Sequence, residues 1–191
     1  MNKIDLKNSL DKLYFQSLQS SNLSCIAAVD SIKSILGINL QDINIELINW
    51  LEDYIDNYSG KKINFKQPYS VPDAISFYNL EKSLLNKDYS KSIENILHLS
   101  HVSEGTQIFE FLLEFSLARS IKNFKYIWHI YRMNLFLNNK YLKYGLIKSI
   151  ELIIDDFEKN TYNADVNTFN WIEYLSLCNN INELLLYYSI Y

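Results

Sequence analysis

Residues 104–118 read EGTQIFEFLLEFSLA. Ile108, Phe109, Phe111, Leu112, Leu113, Phe115 and Leu117 leave almost no polar side to the helix that this spacing predicts. A helix that is apolar nearly all round belongs in an interior, wrapped by other helices. Its strong polarity is confined to Glu110 and Glu114, which lie one turn apart and share a face. The stretch predicts an all-α protein with this helix at its centre and two glutamates inside it.

The composition of the whole chain agrees. Only four glycines and two prolines occur in 191 residues. That scarcity of breakers disfavours sandwiches, barrels and glycine-rich phosphate loops, and it permits long helices. The length suits one domain with a core of its own, without disulfides or a metal. With 48% hydrophobic and 15% aromatic residues, disorder is disfavoured.

Apolar residues recur at helical spacing over about 4–19, 23–36, 42–58, 73–85, 89–101, 104–118, 124–137, 141–159, 166–178 and 181–191. Asp42, Asp73, Ser103 and Asp165 read as N-caps and Gly37 as a C-cap. The expectation is a single domain over 1–191, an irregular helical bundle or short helical-hairpin array of about eight to ten helices. Residues 59–72, SGKKINFKQPYSVP, hold both prolines and read as a long connection between 1–58 and 73–191. The phrase LEKSLLNKDYSKSIENILHLS has the form of a helical hairpin. The echo of Asn49-Trp50-Leu51-Glu52 in Asn170-Trp171-Ile172-Glu173 is too short to define a repeat in a composition this biased.

The net charge of −4 and the lack of a basic block argue against nucleic acid as a partner. The first residues, MNKIDLKNSLDKLYFQ, mix charges into their apolar positions, unlike a secretory signal. No apolar run has the length of a membrane span. A soluble, cytoplasmic protein with no membrane attachment is expected. Cys25 and Cys178 stand in no CxxC pattern and read as small core residues, and their spacing does not decide whether they meet.

Two groups of residues are candidates for chemistry. Glu110 and Glu114 on one helix, and His129 and Arg132 on the next, would face each other if the two helices pack antiparallel. A carboxylate beside a guanidinium is held charged, whereas one among apolar groups is raised toward acid–base use. The set reads either as an ion-pair network that orients the helices or as a catalytic or ligand site. Only two arginines, Arg119 and Arg132, occur among 18 basic residues, which points to places where a planar fork is needed.

The second group, Glu94, His98, His101 and Glu104, has spacings that suit a zinc or iron site only weakly. The helical wheel sets His101 beside the stripe of Ile93, Ile96 and Leu97 and turns His98 toward water. There is no Glu-x-x-His and no HExxH, so no metal is expected. GxSxG, GxGxxG and GxxxxGK[ST] are also missing, so no nucleotide or other cofactor is expected, and enzyme status stays open.

The leading expectation is a protein–protein interaction or scaffold module whose partner is another protein or a second copy in a homo-oligomer. Its support is the acidic surface, including the wet side of Glu46, Asn49, Glu52, Asp53 and Asp56, the helical-hairpin phrasing and the missing catalytic signatures. The alternative is a helical enzyme or small-ligand-binding protein with a polar site between 104–118 and 124–137.

Overall fold

The computed structural model describes residues 3–58, 63 and 75–156. Among them are eight helices and no strand: α1 (Lys3–Leu18), α2 (Ser24–Ile38), α3 (Ile45–Asp56), α4 (Phe77–Leu85), α5 (Tyr89–Val102), α6 (Gly105–Leu117), α7 (Ile121–Phe136) and α8 (Leu142–Asp156). The helices expected over 166–178 and 181–191, the caps at Asp73 and Asp165, Cys178, the echo at 170–173 and nearly all of the connection 59–72 lie outside the described residues.

The helix starts are set by short polar side chains that accept the first free backbone N–H groups. Asn44 accepts from Glu46 N at 3.0 Å, Ser76 from Asn79 N at 3.2 Å, Asp88 from Lys91 N at 3.0 Å and Ser120 from Asn123 N at 3.4 Å. The cap of α3 is thus Asn44 and not Asp42. Ser103 ends α5, and its hydroxyl turns to Gln107 Oε1 at 2.7 Å, while Glu104 holds the cap position of α6 without a side-chain bond. Gly37 lies inside the last turn of α2, whose C-cap is Asn39, and its φ is not positive. The links are closed by left-handed residues: Lys87 between α4 and α5, and Asn138 and Asn139 between α7 and α8. Asparagine tolerates that conformation better than most residues.

Consecutive helices pack as pairs, α1 with α2, α4 with α5, α6 with α7 and α7 with α8. Long-range packing sets α2 against α7 and α5 against α8, with α3 covering α1 and α2 from one side. Leu10, Leu13, Ile26, Leu51, Leu80, Leu84, Ile96, Phe109, Ile127, Ile130, Leu146 and Ile150 belong to one continuous core.

The centre of that core is not where the sequence places it. On α6 the residues Gln107, Glu110, Glu114 and Leu117 form an exposed stripe, opposite the buried Ile108, Phe109, Leu112, Leu113 and Phe115. The helix is amphipathic, and its apolar surplus is met by leaving Leu117 in water. The enclosed helix is α8, where no residue from Leu142 to Ile154 is exposed and α1, α4, α5, α6 and α7 all pack against it.

Candidate functional site

The polar constellation of this fold is built on Asp30. In α2 it follows Cys25, Ile26 and Val29 on a buried face, and only 1% of it is exposed. A carboxylate so enclosed needs partners to remain ionised. His129 supplies one, with Nδ1 2.8 Å from Oδ2. Arg132 adds Nη1 at 3.4 Å from the same oxygen, and Lys33 places Nζ 2.5 Å from Oδ1. Arg132 is anchored a second time, donating from Nη2 to Ser34 Oγ at 3.0 Å. Burial pushes the Asp30 carboxyl upward, but the bond from His129, the bond and charge of Lys33 and the charge of Arg132 together outweigh it. The group is held below the usual carboxylate range.

Helical spacing explains the convergence. Asp30, Lys33 and Ser34 are at i, i+3 and i+4 on α2, and His129 and Arg132 are at i and i+3 on α7, so each set shares a face. Asp30 meets His129, Ser34 meets Arg132, and Lys33 Nζ lies 5.5 Å from the Phe136 ring. These contacts advance together along both helices, which therefore run parallel where they touch.

A neutral polar knot continues this cluster into the core. The Tyr14 hydroxyl donates to Ile130 O at 3.3 Å and accepts from Asn134 Nδ2 at 2.8 Å. Burial first, and then the Asp30 charge, push the Tyr14 phenol well above its ordinary value, against the bond from Asn134. Gly145 of α8 makes room for this knot, since a Cβ there would lie 2.5 Å from Asn134 Nδ2 and 2.9 Å from Ile130 Cγ2.

His129 and Arg132 thus do belong to one polar centre, but Glu110 and Glu114 do not join them. Both glutamates are exposed on α6. The helices α6 and α7 do pack, yet they meet through rings, Phe109 against Tyr131 at 5.5 Å, while His129 and Arg132 turn to α2. The carboxylate they pair with is Asp30. Its signal in the sequence is a lone acid among Ile26, Val29 and Ile32 with a lysine three residues on.

Arg119 has a local role, donating to Phe115 O at 3.0 Å and lying 3.7 Å over the Phe115 ring at the end of α6.

The second group also separates. His98 is buried and His101 exposed, the reverse of the helical-wheel reading, because α4 and α8 cover α5 more widely than one stripe. His98 Nε2 is 3.8 Å from Glu94 Oε1, too far for a hydrogen bond, and Glu104 is exposed at the start of α6. No group of three or more His, Cys, Asp or Glu among the described residues is arranged to hold a metal ion. Cys25 is buried as a free thiol.

The outer face of α3 has a different character. Trp50 is 52% exposed and stacks on Tyr54 with centroids 5.1 Å apart, and Tyr54 meets Tyr58 edge-on at 5.4 Å. The spacing i, i+4, i+8 makes an aromatic ladder along the helix. Glu46, Asn49, Asp53 and Asp56 are exposed around it. From Ser34 to Tyr58 the chain carries Asp42, Glu46, Glu52, Asp53 and Asp56 and neither Lys nor Arg. Lys12 of α1 lies 3.8 Å from Glu52. Asp53 and Asp56 sit at the C-terminal end of the helix, where the backbone dipole disfavours negative charge. Just before this face, Ile35, Ile38, Leu40 and Ile45 are exposed, Ile38 by 86%.

No helix among the described residues is long and apolar enough to cross a membrane. No protein family, curated protein or solved structure matches the chain.

Proposed function

We propose that the protein is an interaction module that docks a basic segment of a partner protein on the outer face of α3. The observation that carries this reading is Trp50. A tryptophan half in water, braced by Tyr54 and Tyr58 and rimmed by carboxylates, has the composition of an interface hot spot. An indole face takes Lys or Arg by cation–π attraction, and the surrounding acids favour the same charge. The acids at the end of α3 do not serve the helix itself, since they oppose its dipole. The apolar Ile35, Ile38, Leu40 and Ile45 extend the contact beyond the charged zone.

A defined lysine- and arginine-rich peptide titrated onto the full chain tests this. Tryptophan fluorescence should show saturable binding that weakens as salt screens the charges, and Trp50→Ala and Asp53→Lys should each abolish it. A response that is the same in Trp50→Ala, or the same with a glutamate-rich peptide, refutes the reading. Sedimentation of the unliganded chain separates the competing outcome, in which the same face closes a homodimer.

A further inference from the structure

We infer that the α2–α7 cluster is a binding site for a small oxyanion, a carboxylate or phosphate group received between Lys33 and Arg132. Three observations converge on this, none of which depends on the docking face of α3.

The first is a surplus of charge. Lys33 and Arg132 bring two cationic side chains to one carboxylate, Asp30, with His129 as a third partner. A buried acid needs compensation, but one such cation would balance it. The Tyr14 phenol, which feels the Asp30 charge, is pushed well above its ordinary value by burial first and adds no charge of its own.

The second is a surplus of donors. Arg132 has five N–H groups; it donates one bond, from Nη2 to Ser34, and pairs by charge through Nη1 with Asp30 at 3.4 Å. Lys33 spends one of three on Asp30. His129 reaches Asp30 through Nδ1, so its Nε2 takes no part in that contact. Both side chains keep some contact with water, that of Arg132 being 34% exposed and that of Lys33 14%. Two fixed contacts hold the guanidinium plane in place, so little of its freedom is left to lose when an anion binds.

The third is space. The next turn of α2 on this side is Gly37, three and four residues beyond Ser34 and Lys33, and a Cβ built there meets nothing within 4 Å. The space beside the Gly37 Cα is therefore open one turn beyond Lys33, and a planar or tetrahedral oxyanion matches the fork of a guanidinium.

The test is an NMR titration of the full chain with inorganic phosphate, pyrophosphate and citrate, each at constant ionic strength maintained with chloride. Saturable shifts are expected at the Arg132 guanidinium and the His129 imidazole. Preference for phosphate and pyrophosphate over citrate, or the reverse, assigns the oxyanion. Arg132→Gln should weaken binding by roughly tenfold or more, the loss expected for a charge-assisted contact. Lys33→Met, which leaves the Arg132–Asp30 and His129–Asp30 contacts in place, should weaken it similarly and serves if Arg132→Gln does not fold. Trp50→Ala should leave it unchanged. Shifts that also follow chloride, shifts mapping away from α2 and α7, or wild-type affinity in both cluster variants overturn the inference.

Discussion

Replacing Asp30 by Asn tests the electrostatic centre of the molecule most directly. The variant keeps the shape of the side chain and removes its charge. One amide oxygen replaces two carboxylate oxygens, so the NH2 group must face either His129 Nδ1 or Lys33 Nζ, each of which is placed to donate. Breaking a buried ion pair by removing one partner costs about 3–5 kcal/mol. Arg132 is one-third exposed and recovers hydration, so the lower end applies, about 3 kcal/mol. That is a large part of the roughly 5–15 kcal/mol that holds a domain folded. In a chain of this length it lowers the melting temperature by roughly 6–12 °C. Urea denaturation at neutral pH, followed by circular dichroism, measures the loss, and an unchanged denaturant slope shows that both chains unfold alike.

The pH dependence gives a second readout of the same variant. Folded Asp30 has a depressed pKa, so below neutrality the unfolded chain takes up its proton first. The contribution of Asp30 is therefore fully present above the unfolded value of about 3.9 and is lost as pH falls through the folded one. The gap between wild type and Asp30→Asn should close on the acid side of pH 4. A neutral-pH loss under about 1 kcal/mol, the range of exposed ion pairs, or a gap that persists in strong acid, refutes this account of the cluster.

The two glycines in contrasting surroundings should respond oppositely to alanine. Gly145→Ala drives a methyl into Asn134 and Ile130 and should destabilise by about 1–3 kcal/mol, whereas Gly37→Ala enters open space within a helix and should stabilise by about 0.5–1 kcal/mol. Thermal melts of the pair check both signs. Glu110→Gln and Glu114→Gln, on the exposed stripe of α6, should each change stability by less than about 0.5 kcal/mol. A cost near that of Asp30→Asn would return these glutamates to the polar centre.

Helix content was legible because the spacing that defines it is local. The structure places its left-handed residues, Lys87, Asn138 and Asn139, in the gaps that the expected spans leave between 85 and 89 and between 137 and 141. Burial was less legible. The sequence of α6 looks apolar all round, yet a stripe of four positions, two of them glutamates, is enough to face water. His98 and His101 exchanged places because burial on α5 depends on how many neighbours cover it, which periodicity does not record. The polar centre was half legible. His129 and Arg132 stood out as charged residues in an apolar helix, but adjacency in the chain suggested α6 as their partner. The true partner, Asp30, lies 99 residues from His129 and 102 from Arg132, on a helix that runs parallel to theirs. No local pattern encodes a pairing of that range.

The parallel contact of α2 with α7 also orders events during synthesis. Asp30 leaves the ribosome about a hundred residues before His129 and Arg132, so α1, α2 and α3 must wait with a carboxylate aimed at a surface that does not yet exist. Lys33, on the same helix, is the cation already at hand. It can act as a chaperone in miniature, shielding the acid until α7 arrives, and then keep its bond to Asp30 beside the more exposed Arg132 of the finished cluster. Closing so long a loop is entropically slow, and the N-terminal helices gain their full stability only when it closes.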